Sequence, residues 1–288
     1  MANWFITGVS SGLGLALARA ALDRGDSVVG TVRAQADAER FTALAPGRAH
    51  AMKLDVTDEA AVQVVYRTAE SLAGPMDFIV NNAGRGFTGA IEETSLKDAR
   101  ALFDVNFFGP MAVIKAALPS LRRRRQGHIV NIGSVSGLAA WHGTAIYGAT
   151  KFALECLGRT LAQEVGPLGI KVTNVAPGGL RTAFSADRLP GAEPTIENYA
   201  GTAHLARTTL QGHHGEEPGD PALAAAAILA AVDAPAPPLL LLLGEDALKY
   251  AEHEFAMLGG EIALWKDLTL SIAAEAPGPA PAPVIVHG

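Results

Sequence analysis

The sequence predicts an α/β protein on one doubly wound, mostly parallel, seven-stranded sheet with helices on both faces. Short apolar, β-branched runs alternate with helical periods along most of the chain, the pattern of a parallel sheet covered on both sides. Glycine, asparagine, serine and proline-glycine groups fall where those strands stop. The 288 residues, 49% of them apolar, suit one large core better than two small ones.

Taken in order, the strand Trp4-Phe-Ile runs into Thr7-Gly8-Val-Ser-Ser-Gly12-Leu-Gly14, then a helical pattern from Leu15 to Arg24 closed by Gly25. A second strand, Ser27 to Arg33, precedes a helix over Ala36–Leu44. The third strand is His50–Asp55; Thr57 is expected to cap the helix from Asp58 to Leu72, which Gly74-Pro75 stops. Strand four, Asp77–Val80, ends in Asn81-Asn82-Ala83-Gly84. One long helix from Ser95 to Arg123 carries Asn106 and leads to strand five, His128–Ile132. A helix opening at Tyr147 and reaching Glu164 feeds strand six, Ile170–Ala176, which stops at Pro177-Gly178. Between 179 and 219 the period is lost over a span too long for an ordinary connection. It reads as a substrate lid with a short helix near Ile196–Leu210. A helix at Pro221–Val232 and the strand Leu239–Leu243 close the sheet, and two helical pieces follow, near Asp246–Met257 and Glu261–Ala274. The expected organisation is a single domain over 1–276 and a proline-rich tail over 277–288, whose Val284-Ile-Val286 can dock on a neighbour.

Composition narrows the function classes. Lys and Arg total 23 against 29 Asp and Glu, a net charge of −6, so no nucleic-acid partner is expected. The one dense basic run, Arg122–Arg125, reads as the solvated end of a helix. A single cysteine, Cys156, excludes an internal disulfide and any cysteine metal cluster, and points to a reducing, cytoplasmic setting. Cys156 is five residues past Lys151, and we take it as core. The N-terminus lacks the basic and apolar regions of a signal peptide. The most apolar run, Leu239–Leu243, is far below the ~20 residues of a bilayer span. No metal is required: His213-His214 reads as a solvated pair.

Ligands of an open parallel sheet bind beyond the carboxyl ends of its strands, and six strand ends here carry unusual residues. The glycine loop, Gly8-x-x-x-Gly12-x-Gly14, lets backbone approach a pyrophosphate at a helix N-terminus, with Ser10 and Ser11 as added donors. The second strand ends in Arg33 with no acid at that end. A guanidinium pairs with a 2′-phosphate, so NADP(H) is favoured, with NAD(H) possible. Tyr147 and Lys151 lie four apart on one helix face, where an ammonium is expected to lower the phenol's pKa.

Together, Thr7–Gly14, Asn81–Gly84, Asn106, Ser134, Tyr147-Gly-Ala-Thr-Lys151 and Pro177-Gly178 resemble the motif set of the short-chain dehydrogenase/reductase family, in its single-domain branch, over residues 1–182. The resemblance implies a Rossmann-type fold. It also implies that Tyr147 is the acid/base, that Lys151 holds the nicotinamide ribose and lowers the tyrosine pKa, that Ser134 hydrogen-bonds the substrate oxygen, and that Asn106 supports a relay water. Cofactor contacts are implied for Gly8, Ser10, Ser11, Gly12, Leu13 and Gly14, for Asp55 and Val56 by the adenine, and for Asn82, Ala83 and Gly84. Pro177, Gly178, Leu180 and Thr182 would line the nicotinamide. The family often shows Pro-Gly-x-x-x-Thr; here Gly179 and Arg181 stand among the intervening positions.

The expected reaction is hydride exchange between nicotinamide and a ketone, aldehyde or secondary alcohol, with Ser134 and Tyr147 donating to the oxygen on which charge develops. Trp141, His142 and Phe184, with Leu138, Leu189, Ile196 and Tyr199, fall in segments expected to wall the pocket, suggesting a bulky or apolar substrate. The run from Gly25 to Arg33 resembles the branch of steroid and retinoid dehydrogenases. A nucleotide-sensing regulator without turnover and an epimerase or dehydratase of the same family are the rival readings. A homodimer or homotetramer is implied, paired through the long helix near 95–123 and the Tyr147 helix.

Overall fold

The computed structural model describes residues 1–182, 184, 189–212 and 214–273. The tail after 273 and His213 lie outside the described residues. Seven strands form one sheet: β1 (Asn3–Ile6), β2 (Ser27–Val32), β3 (Ala49–Lys53), β4 (Phe78–Asn81), β5 (Gly127–Ile132), β6 (Ile170–Pro177) and β7 (Leu240–Leu243). Their order is β3-β2-β1-β4-β5-β6-β7 and every pairing is parallel, not merely most of them. The order reverses between β1 and β4, which creates the crevice where an open α/β sheet takes its ligand.

The two-residue period of a strand sorts the core into two layers. Trp4 and Ile6 of β1, with Val28, Val80, Val130 and Val175, face α1 (Gly12–Asp23), α2 (Gln35–Thr42) and α8 (Pro221–Asp233). Phe5, Val29, Ile79, Ile129 and Val172 face α3 (Glu59–Ala73), α5 (Gly109–Arg124) and α6 (Ala145–Val165). A third device crosses the sheet at one level. Asn81, Asn131 and Asn174 are in register on β4, β5 and β6 and are 2%, 0% and 1% exposed. Asn81 Nδ2 donates to Asn131 Oδ1 (2.9 Å), Asn131 Nδ2 to Asn174 Oδ1 (3.0 Å), and Asn174 Nδ2 to the Glu155 carbonyl of α6 (3.0 Å). Buried amides at such depth are tolerated because each Nδ2 finds an acceptor, although Asn81 Oδ1 at the end of the ladder has no partner among the described residues.

Several sequence expectations are corrected. Asp58, not Thr57, caps α3 by accepting from Ala61 N; Thr57 instead donates its N–H and hydroxyl to Asp55. The long helix is α4 (Leu96–Phe103), a π-turn over Asp104–Phe108, and α5. This 29-residue rod is apolar and long enough to cross a bilayer by length and composition. Its Ala112, Val113, Ile114, Ala117 and Leu121 are buried against the sheet, the packing of a core helix. Arg122, Arg123 and Arg124 do occupy its last turn, where Arg124 donates to the Met76 carbonyl. Cys156 is exposed rather than core: five helical steps from the buried Lys151 turn it about 140° away. The two C-terminal helical pieces are one continuous α9 (Glu245–Leu264), which runs through Gly259-Gly260, followed by the short α10 (Lys266–Leu270). Between β6 and α8 lies α7 (Ala203–Gly212), near the short helix expected in that span.

Candidate active site

The glycine loop follows β1 and enters α1. Gly8 (φ 75°) and Gly12 (φ 59°) hold left-handed backbone that L side chains adopt at a cost. A Cβ on Gly14 would collide with Asn82 Nδ2 and the Gly8 carbonyl. Asn82, from the end of β4, donates to the Thr7 and Gly8 carbonyls (2.9 Å each), and Thr7 Oγ1 accepts from Asn82 N and Ala83 N (3.0 Å each). Thus Asn82 and Ala83 brace the loop. Ser11 stands at the N-cap of α1 without a side-chain cap, and no acid lies in the first turn. Free N–H groups at an uncapped, unacidic helix start fit a pyrophosphate, so these residues suit a dinucleotide. Gly12 also faces Thr182: a Cβ there would lie 3.5 Å from the threonine's Cβ. Ser10 is exposed, and Leu13 is buried beneath the loop.

Arg33 is exposed at the end of β2, Asp55 is exposed just beyond β3, and Val56 is buried beside it. Thr57's two donors, then the Arg33 and Arg85 guanidinium charges, hold the Asp55 carboxyl below its usual value. Arg85 directly follows the Asn81–Gly84 motif and brings a second cation to this region.

At the end of β5, Ser134, Tyr147 and Lys151 converge. Tyr147 and Lys151 lie in α6, 9% and 6% exposed. Ser134, N-cap of the short turn Val135–Gly137, stands near enough to the Tyr147 hydroxyl to lower its pKa. Lys151 Nζ lies 5.8 Å from the Tyr147 ring centroid and donates to the Ile132 carbonyl (2.9 Å). A Cβ on Gly84 would stand 3.3 Å from Asn106 Oδ1 and 3.7 Å from Lys151 Nζ, so the end of β4 and the π-turn reach the same place.

Two of these groups have surroundings that the sequence did not show. Burial pushes Tyr147 up to about 12, only partly offset by Ser134, and pushes Lys151 down to about 8. Burial, rather than the ammonium, dominates the phenol here, while Lys151 turns one of its three donors to a carbonyl. Asn106, 1% exposed, uses its amide as a brace: Oδ1 accepts from Arg85 N (3.0 Å), and Nδ2 donates to the Arg85 carbonyl (3.0 Å) and Thr150 Oγ1 (3.1 Å).

The connection after β6 folds over this group. Gly178 N donates to the Leu243 carbonyl (2.9 Å), and Gly179 N to Asp246 Oδ2 (2.7 Å). A side chain on Gly178 would strike the Asp246 carboxylate. Gly178 therefore makes room for the first turn of α9, whereas a Cβ on Gly179, the departure in that motif, would meet only ordinary contacts at 3.4–3.5 Å. Leu180 bridges to Gly219 and packs on the core. The Phe184 ring stands 5.8 Å from that of Tyr147, tilted by 55°. Trp141 is half-buried; His142 is exposed beside it (5.7 Å between rings). Leu189 is buried and lies close to Gly86, whereas Leu138 packs with Ala176 and Ala251. Tyr199 donates to Glu92 Oε2 (2.6 Å) at the surface.

A family model described as short chain dehydrogenase matches residues 3–192, about two thirds of the chain. The chain belongs to the short-chain dehydrogenase family. An oxidoreductase of Botryotinia fuckeliana is 36% identical over 275 residues, covering 94% of this chain and 98% of its own length. The crystal structure of a short-chain dehydrogenase from Streptomyces avermitilis superposes with a TM-score of 0.86 at 39% identity, covering 93% of this chain and 98% of that one. A short-chain dehydrogenase from Sphingobium yanoikuyae in complex with NADPH gives 0.72 at 26% identity, covering 96% and 99%. As a short-chain dehydrogenase, the chain is an NAD(P)-dependent oxidoreductase acting between CH–OH and C=O.

Sequence reasoning missed four supporting residues of this dehydrogenase: Thr7, Thr150, Asp246 and Glu93. The Thr7 and Thr150 hydroxyls tie one motif to the next, and the other two hold the connection after β6. Thr7 and Thr150 stand inside motifs already quoted; Asp246 and Glu93 carry no sequence signal, since their partners lie 67 and 103 residues away.

Proposed function

We propose that this dehydrogenase prefers NADP(H) and interconverts an apolar or bulky ketone and its secondary alcohol, with Tyr147 as the acid/base. The observation that carries the reading is the convergence of Ser134, Tyr147 and Lys151 under the Phe184 ring. Bound nicotinamide supplies the hydride. The protein's part is to hold the carbonyl oxygen against Ser134 and Tyr147 and to deliver a proton from the phenol oxygen. A phenol held by burial near 12 keeps its proton at neutral pH, which suits it to donate in the reducing direction. Lys151, about 8, remains cationic at neutral pH and suits a sugar hydroxyl.

Residues 179–219 act as the substrate lid, with Phe184 and Trp141 as apolar walls. The NADP preference is supported by Arg33 and Arg85 flanking Asp55 and by the NADPH-bound relative. Pairing of copies through the long α4–α5 rod and the Tyr147 helix is supported, on the rod, by Leu96 (70% exposed) and Phe108 (49% exposed), which rim a groove of about 420 Å³ along α4 and the π-turn. A reducing, cytoplasmic setting agrees with the single exposed Cys156.

The test is a panel of ketones and secondary alcohols assayed by nicotinamide absorbance with both cofactors, in the parent and in Tyr147→Phe. The variant should lose about 10²-fold or more of kcat while binding NADPH, by fluorescence titration, as the parent does. Equal loss of NADPH binding makes Tyr147 structural. NADPH binding without turnover of any panel member by the parent favours a nucleotide-sensing role.

A further inference from the structure

Glu93 lies well outside the Ser134–Tyr147–Lys151 group in sequence, yet its side chain is 0% exposed. A buried carboxylate persists only where donors replace its water, and Glu93 has three from two segments. Ala90 N donates from its own turn (2.9 Å), Ile196 N from the connection after β6, and His204 Nε2 from the first turn of α7 (2.7 Å). Burial alone would raise its carboxyl; the Ile196 and Ala90 N–H groups and the His204 imidazole outweigh that and hold it low.

What this tie secures is visible on the other side of α7. Gly143, in the turn from Trp141 toward Tyr147, has left-handed backbone (φ 73°), and a Cβ there would collide with the Ala203 carbonyl beside His204. Gly89 N donates to the Gly143 carbonyl (2.9 Å), and Ala192 N to the Thr88 carbonyl (2.8 Å). Helix α7 is thus held between the Glu93 carboxylate and the turn that leads into the catalytic helix.

We propose that Glu93 is a positioning residue for substrate recognition, fixing α7 and the 189–212 segment as the pocket wall. This rests on the reading of residues 179–219 as the substrate lid. Glu93 touches none of Ser134, Tyr147 and Lys151, so the tie acts on how substrate is held and not on proton or hydride transfer.

Glu93→Gln keeps size and shape but replaces one accepting oxygen with a donor that faces N–H groups. In the full chain, backbone hydrogen exchange of residues 196–212 should rise about tenfold while β4–β6 amides are unchanged. KM for the best carbonyl substrate of the panel should rise about tenfold, with kcat and the NADPH KM within about twofold. His204→Ala should reproduce the effect, and the double variant should add little to it; it also serves if Glu93→Gln fails to fold. Unchanged exchange at 196–212 in the variants overturns the tie. Faster exchange with unchanged KM, or a fall in kcat at constant KM, overturns the role in recognition. Exchange needs no turnover, so a parent inactive on every panel member refutes the proposed function without obscuring the result on the tie.

Discussion

Tyr147 and Lys151 stand four residues apart, yet their shared environment matters more than their spacing. Both are buried, and burial penalises whichever form is charged, so the phenol rises and the ammonium falls. The spacing was legible from the chain; the depth was not, because it depends on the Ile132 carbonyl and on Phe184, which come from other segments. Arg33 is the opposite case: its place at the end of a strand was legible, and it is exposed there. Arg33→Ala should raise KM for NADPH by about 10-fold or more, the loss of one charge-assisted phosphate contact, and leave NADH nearly unaffected. Equal changes for both cofactors, measured by initial rates, would remove the 2′-phosphate from its role.

At the scale of elements, the amide ladder on β4, β5 and β6 links three strands whose ends carry the site. Asn131→Ala strands two buried partners, Asn81 Nδ2 and Asn174 Oδ1, and should cost about 2–4 kcal/mol in urea unfolding; a loss below about 0.5 kcal/mol would mean the ladder is dispensable. Strands were readable throughout because each is a short apolar run between breakers. Helix ends were less so: Asp58 and Thr57 are both capping types, and only the local turn in which Thr57 donates to Asp55 decides between them. The run Gly259-Gly260 signals a break, yet α9 passes through it, at a cost of about 1 kcal/mol per glycine.

For the molecule as a whole, the alternating pattern was enough to give sheet, layers and the location of the site at the strand ends, since each is set by periodicity. Long-range polar ties such as Glu93–His204 and Gly179–Asp246 were not legible, because they depend on three-dimensional closure. Acid stability is likewise a property of the closed core. His128 is 3% exposed; Thr173 Oγ1 donates to the Pro238 carbonyl (2.7 Å) and therefore accepts from His128 Nε2 (2.9 Å), leaving Nδ1 bare. Burial, then the Lys171 charge, pushes its pKa down from 6.5 to about 4. The unfolded chain takes up this proton first as pH falls, so stability is full above 6.5 and is lost between 6.5 and 4, by about 3 kcal/mol from this residue. His128→Gln should flatten that part of the pH–stability curve in denaturant titrations; an unchanged slope would assign the loss to other groups. The π-turn at Asp104–Phe108 has a different consequence. One wide turn takes up an extra residue without breaking the rod, so Leu102 before it and Val113 and Ala117 after it are all buried. Here the number of residues, rather than their identity, keeps the two halves in phase, and an insertion or deletion in this stretch is a change of angle before it is a change of chemistry.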